Sequence, residues 1–257
     1  MQCIEHIVQR AKDLAVAGQA PELEVRFGYC TPHVDAVTHA DMRWTAGLSN
    51  EHSEPVCAAF VSSPHWHETR DWRASHIFMF DVGGVQHRTE VCFGDKGLTK
   101  QTIVKTKLAH EDFTVPLLSC SGNNNTKKFG VRIALATETV VAEDAPLPAY
   151  VLPERVFMYH RRTFWFKSES TPQLGNVWQY TLTRRWGGAT LEAAYAAHDA
   201  DSSPPVEIEI ECVNIKYLQD KTVAHIAQSL AQKIADVVRL LDPAAAAADL
   251  VPVPRLF

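Results

Sequence analysis

VEIEIEC, residues 206–212, and ELEVRFG, residues 22–28, together decide how this chain folds. In the first, Glu207, Glu209 and Glu211 alternate with Val206, Ile208, Ile210 and Cys212. An extended strand turns successive side chains to opposite faces, so three carboxylates share one side and four apolar groups share the other. In the second, Glu22, Glu24 and Arg26 oppose Leu23, Val25 and Phe27 in the same way. One pair of alternate glutamates describes an ordinary solvated sheet face. Three in a row repel one another, and glutamate is a poor strand former, so two such strands at opposite ends of a domain need a reason. Crowded carboxylates stay ionised together only when positive charge sits among them. A divalent cation supplies that charge, and oxygen-only donors suit Mg²⁺, Mn²⁺ or Ca²⁺ better than zinc.

The strands between these two carry charge of the other sign on one face. KFGVRIALATE, residues 128–138, puts Lys128, Gly130, Arg132, Ala134, Ala136 and Glu138 on one side, opposite Phe129, Val131, Ile133 and Leu135. Lys105 and Lys107 are co-facial in 101–108, and Gln179, Thr181, Thr183 and Arg185 are co-facial in 179–185. If one sheet closes on itself, these cations face the acidic strands across a lumen. Fixed cations around a metal are complementary to a triphosphate.

The frame around the strands is helical. Apolar spacing near 3.6 through Ile4, Ile7, Val8, Ala11, Leu14 and Ala15 predicts a helix over 3–17, ended by Gly18 and Pro21. The same period returns over 219–241 through Val223, Ile226, Ala227, Leu230, Ile234, Val237 and Leu241. From 22 to about 212, short alternating runs are broken by Gly, Pro, Asn and Ser clusters, the pattern of an antiparallel barrel or sandwich. The expected class is α+β, dominated by one closed sheet. A single domain is expected over 1–243, followed by a tail over 244–257 that is mobile or docks; 39–75 gives no clear pattern.

Composition narrows the function. A net charge of −5 over 257 residues gives no global basic footprint, so any polyanion site must be a local concentration of cations. No apolar run approaches the length of a membrane span, and no secretory leader or membrane partner is expected. Six cysteines without a CxxC pair read as reduced thiols with no disulfide partner. Weaker motifs carry little: His65 and His67 read as a surface loop, and Lys96 in GDKG reads as a hairpin turn. Ser119–Ser121 lacks a GxSxG elbow. The six tryptophans read as core or outer wall, with a base stacking on one as the alternative.

ELEVRFG and VEIEIE resemble the two signature acidic strands of the fungal, protozoan and viral RNA triphosphatases, a branch of the triphosphate tunnel metalloenzymes. IVKTKL with DFTVP, FGVRIALATE, HRRTF and WQYTLT follow in that family's order and span nearly the whole chain. The resemblance implies an eight-stranded antiparallel tunnel with a charged lumen and flanking helices. It implies Mg²⁺ or Mn²⁺ held by Glu22, Glu24, Glu211 and Glu209, with Glu209 or Glu207 orienting or deprotonating the attacking water. Phosphate-facing cations fall on Arg26, Arg88, Lys105, Lys107, Lys128, Arg132 and Arg161, of which Lys105, Arg132 and Arg161 also act in catalysis. Arg26 followed by Phe27–Gly28 matches the RNA branch, where the thiamine-triphosphate and polyphosphate branch has lysine. Two departures stand out: Phe157 and Tyr159 precede Arg161 where the family alternates cations, and the strand of Thr181 lacks a carboxylate. Arg161, sharing a face with Thr163, is preferred to Arg162 for the lumen. The implied activity is hydrolysis of 5′-triphosphate RNA to 5′-diphosphate RNA, the first step of mRNA capping, with side activity on NTPs. A guanylyltransferase is the implied partner, and a nucleus or a viral factory the implied location. An inorganic tripolyphosphatase or nucleoside triphosphatase on the same fold, or a degenerate polyphosphate-binding barrel, is the alternative.

Overall fold

The structure is a computed structural model that describes residues 2–32, 42–94, 97–115, 128–141, 152–167, 174–201, 203–242 and 251–252. The first and last long helices are α1 (Gln2–Val16) and α5 (Val223–Leu241). Between them lie β1 (Pro21–Pro32), β2 (Met42–Ala46), α2 (Asn50–Ser62), β3 (Glu68–Val82) and β4 (Val85–Gly94). Then come β5 (Gly97–Val115), β6 (Lys128–Val141), β7 (Arg155–Lys167), β8 (Asn176–Gly188), α3 (Leu191–Ala200), β9 (Val206–Cys212) and α4 (Ile215–Asp220). A two-residue strand, β10 (Val251–Pro252), pairs with Phe113–Thr114 of β5.

Eight of these strands close into a ring: β1 pairs with β6, β6 with β5, β5 with β4, β4 with β3, β3 with β7, β7 with β8, β8 with β9, and β9 returns to β1. Every pairing is antiparallel. Closure removes the free edges that would otherwise invite other chains. The short β2 lies on the far half of β1, pairing Gly28 with Ala46. A glycine is needed at 28, because a Cβ there would stand 2.1 Å from the Thr45 carbonyl oxygen.

The barrel is apolar outside and ionic inside. Leu23, Val25, Val131, Ile133, Ile208 and Ile210 are fully buried or nearly so, yet they point away from the lumen. They are covered by α1, through Ile4, Ile7, Val8 and Ala11, and by α5, through Ile226, Leu230, Ile234 and Val237. Arg10 of α1 donates to the Leu108 carbonyl at 3.1 Å, where a bulge between Lys107 and Ala109 interrupts the β5–β6 ladder. Lys12 caps the end of α4 through the carbonyls of Leu218, Gln219 and Lys221. The helix ends are capped as their sequences ask: Thr222 accepts from the His225 amide, Asn214 from Tyr217 and Thr190 from Ala193.

The stretch 39–75 resolves into β2, α2 and the start of β3 where it is described. Helix α2 has no strong amphipathic signal because only Ser53, Val56 and Phe60 are buried. It docks through Phe60, whose ring meets Trp66, Phe164 and Tyr180 at 5.3–5.6 Å. His65 and His67 are exposed, as a surface turn requires. Lys96, Ser119–Ser121 and most of the tail over 244–257 lie outside the described residues.

Because the core lies on the outer face of the barrel, truncating an outward side chain must open a cavity under the helices. Ile210→Ala is expected to lower unfolding stability by about 2–5 kcal/mol. Denaturant unfolding followed by circular dichroism measures it, and a loss below about 0.5 kcal/mol would contradict the inverted packing.

Candidate active site

Strand alternation and closure gather the charged faces into a single chamber of about 260 Å³. Glu22, Glu24 and Arg26 enter it from β1; Glu207, Glu209 and Glu211 enter from β9. The two acidic strands are direct neighbours, with Glu24 opposite Glu211 and Arg26 opposite Glu209. Gln179, Thr181, Thr183 and Arg185 line it from β8, Tyr159 and Arg161 from β7, Arg88 and Glu90 from β4, and Glu138 from β6.

A web of ion pairs holds these groups. Arg26 is its hub: Nε stands 2.8 Å from Glu209 Oε1 and Nη2 stands 3.0 Å from Glu24 Oε2. Lys105 reaches in from β5 to Glu22 at 2.5 Å and Glu24 at 3.3 Å. Arg88 and Arg161 both bind Glu90 at 3.1 Å, and Arg185 binds Glu207 at 2.9 Å. Arg162 turns outward to Asp71 at 2.8 Å, so the lumen register at this pair belongs to Arg161.

Three cations expected at the phosphates stand elsewhere. Lys107 and Lys128 are exposed and do not line the chamber. Arg132 forms a two-pronged pair with Asp112, at 2.6 and 2.8 Å, and its guanidinium lies 4.3 Å from the Trp44 ring centroid. It thus stands on the lumen face of β6 beyond the chamber lining, bound to its own carboxylate. Glu90 is the lining residue that sequence reasoning missed. Its signal was present: Glu90 is two residues from Arg88, so any argument placing one in the lumen places both.

The chamber holds seven carboxylates, Glu22, Glu24, Glu90, Glu138, Glu207, Glu209 and Glu211, against four arginines and Lys105, an excess of two negative charges. The carboxylates differ in state. Burial raises Glu90 and Glu209, but the arginines around each prevail and hold both below the ordinary glutamate range. Burial, only partly offset by Arg185, raises Glu207. Among the described residues no cation pairs with Glu211; burial first, then Glu22, Glu209, Glu24 and Glu138, push it up to about 8. Gln179 donates to it through Nε2 at 3.5 Å.

Glu211 therefore marks where positive charge is missing. Together with Glu22, Glu24 and Glu209 it forms an all-oxygen donor set of the kind Mg²⁺ and Mn²⁺ prefer. Among the described residues no three acidic, His or Cys groups already converge as a finished cage, because Glu22 and Glu24 are turned to Lys105 and Arg26. The donor chemistry and the charge excess fit a divalent cation. Among the described residues Arg88 Nε and Thr183 Oγ1 are buried without a hydrogen-bond partner, which leaves donors for an anionic guest.

The class this defines is a closed antiparallel tunnel with an ionic lumen and a core packed outside it. Solved structures that the chain resembles over more than nine-tenths of their length include RNA triphosphatases. The S. pombe Pct1 RNA triphosphatase aligns over 94% of this chain and 92% of its own, with a TM-score of 0.59 and 14% identity. The same enzyme in complex with the Spt5 CTD gives a TM-score of 0.59 at 13% identity, again over 94% and 92%. The Mimivirus capping enzyme triphosphatase aligns over 94% and 97%, with a TM-score of 0.51 and 10% identity. At these identities the likeness is one of fold. No family model matches the sequence, and no curated protein matches it.

The raised Glu211 makes stability pH-dependent. Its folded-state value of about 8 lies above that of an unfolded glutamate, so the folded protein keeps a proton the unfolded chain has released. Stability is full below the ordinary glutamate range and falls as pH rises towards 8. In chelator, the melting temperature is expected to fall over this interval and Glu211→Gln to flatten the decline. Equal slopes in the two proteins would contradict the assignment.

Proposed function

We propose that this chain hydrolyses the γ-phosphate of 5′-triphosphate RNA, giving 5′-diphosphate RNA and phosphate in a reaction dependent on Mg²⁺ or Mn²⁺. The observation that carries the reading is the pairing of two co-facial acidic strands, β1 and β9, against Arg88, Arg161, Arg185 and Lys105 in one closed lumen. The same fold in capping triphosphatases supports it.

Glu22, Glu24, Glu209 and Glu211 would hold the metal, which would neutralise charge on the γ-phosphate oxygens. Arg88 and Arg161 are tied to Glu90 and so are held facing the chamber, where they bind the phosphates; Arg26 and Lys105 stand among the metal carboxylates and offset charge there. Preorganised cations of this kind stabilise the transferring phosphoryl group without reorganising at the moment of reaction. Water attacks the γ-phosphorus in line, the bond from phosphorus to the β,γ-bridging oxygen breaks, and the water proton passes to a carboxylate. Glu209 suits that role because its cationic neighbours keep it ionised; Glu207, raised by burial, is the less basic-ready of the pair at acid pH. Arg132, bound to Asp112 outside the chamber lining, is left out of the γ-phosphate contacts. Hydrolysis of free NTPs is expected as a side activity, since contacts to phosphate do not read the base.

The step supplies diphosphate-ended RNA, so a guanylyltransferase is the partner that consumes the product. In a cell this places the protein in the nucleus; in a large DNA virus it places it in the cytoplasmic factory.

Phosphate release from γ-labelled 5′-triphosphate RNA tests the reading directly. Release is expected with Mg²⁺ and not in chelator. Glu24→Ala and Glu209→Ala are each expected to cost on the order of a hundredfold or more, the several kcal/mol that a metal ligand supplies. Full activity in the double variant would overturn the site. When triphosphate-ended RNA, ATP and tripolyphosphate compete at equal concentration, RNA is expected to be consumed first. Tripolyphosphate winning by a wide margin would replace the capping assignment with an inorganic polyphosphatase.

A further inference from the structure

One wall of the lumen is aromatic where the rest is ionic. On β7, Phe157, Tyr159, Arg161 and Thr163 alternate on the inward face. Tyr159 and Arg161 line the chamber, and Phe157 stands one pleat beyond Tyr159 on the same face, outside the lining. Phe157 is half-buried, unlike the fully buried Phe27, Phe129 and Phe164 of the outer core. Beside it on the same face, in the β3 register, is Ile77, fully buried. A phenyl ring next to a polyanion chamber adds nothing to phosphate binding, and Phe157 is not part of the outer core.

The ring's setting is built for a flat partner. Its edge lies over Gly187, where an added Cβ would stand 2.7 Å from Phe157 Cε1, so any other residue there would push the ring away. Arg185 holds its guanidinium 5.5 Å from the Phe157 centroid while pairing with Glu207 at 2.9 Å. The Tyr159 ring follows at 6.1 Å. With a rise of about 3.3 Å per residue, Phe157 stands about 13 Å along β7 from Arg161. That is the direction and scale over which a nucleoside extends from its own γ-phosphate.

We propose that Phe157 is a stacking platform for the first base of the substrate, with Arg185 covering the base from the other side. The inference rests on the triphosphatase reading and extends it to the nucleoside. Stacking tolerates every base, so the platform distinguishes a nucleoside triphosphate from bare polyphosphate without selecting among bases. Arg185 is 42% exposed and bound to Glu207, so the face it offers a base is held in place by that ion pair.

The test compares kcat/KM for ATP and for tripolyphosphate in the wild type, Phe157→Leu and Phe157→Trp, with inhibition by ADP and by pyrophosphate measured beside them. Phe157→Leu keeps an apolar side chain and removes the ring. It is expected to lower the ATP-to-tripolyphosphate ratio roughly tenfold, mainly through KM, a loss within the usual range for one stacked base. ADP inhibition should weaken in proportion while pyrophosphate inhibition holds, and Phe157→Trp should keep the wild-type ratio. A ratio unmoved by Phe157→Leu, or an equal loss on both substrates, overturns the platform and leaves the triphosphatase reading standing. A wild-type protein that cleaves neither substrate overturns that reading and the platform with it.

Discussion

Everything in this molecule follows from the need to keep seven carboxylates in one small lumen. Like charges at this spacing cannot coexist without compensation, and each cation facing the chamber is bound to at least one of them. Arg26 bridges Glu24 and Glu209, which sit on different strands of the ring. Lys105 joins Glu22 and Glu24 from a third strand. The ion pairs are therefore cross-strand ties as well as binding groups, and the interior is set by electrostatics rather than by packing.

That choice pushes the hydrophobic core outward. A barrel with a wet, charged inside must bury apolar surface on its outer face, which a sheet alone cannot do. The terminal helices α1 and α5 provide the cover, and α2 adds an aromatic patch through Phe60. The helices thus make the lumen possible without touching it. An interior lined by fixed charges and covered by a rigid coat is preorganised: its dipoles need not reorient when an anionic guest enters.

The distribution of charge within the lumen is uneven, and the unevenness carries function. The β1–β9 wall is acidic and short of positive charge at Glu211. Across β4, β3 and β7 the wall places Arg88 and Arg161 around Glu90, with Tyr159 and then Phe157 further along β7. An acidic side and a cationic side thus share one cavity. Fold likeness to solved RNA triphosphatases at 10–14% identity shows how little sequence the closed tunnel requires.

The sequence alone determined the faces. Alternation in 22–28 and 206–212 put Glu22, Glu24, Glu207, Glu209 and Glu211 on one side of their strands, and no fold could separate neighbours two residues apart. The helical periods of 3–17 and 219–241 likewise named the cover, and the structure starts and ends those helices within a few residues of it. Tertiary structure decided what periodicity cannot reach. Lys107 and Lys128 share faces with Lys105 and Arg132, yet stand outside the chamber, and Arg132 is claimed by Asp112 and Trp44. Glu90 meets Arg161 because β4 pairs with β3, and β3 pairs in turn with the distant β7. Helix α2 went unread because its burial rests on three residues and on partners far along the chain. A strand's own alternation fixes which way a side chain points. The height at which it meets the others is fixed by register and tilt around the closed ring, and these exist only once all eight strands are in place.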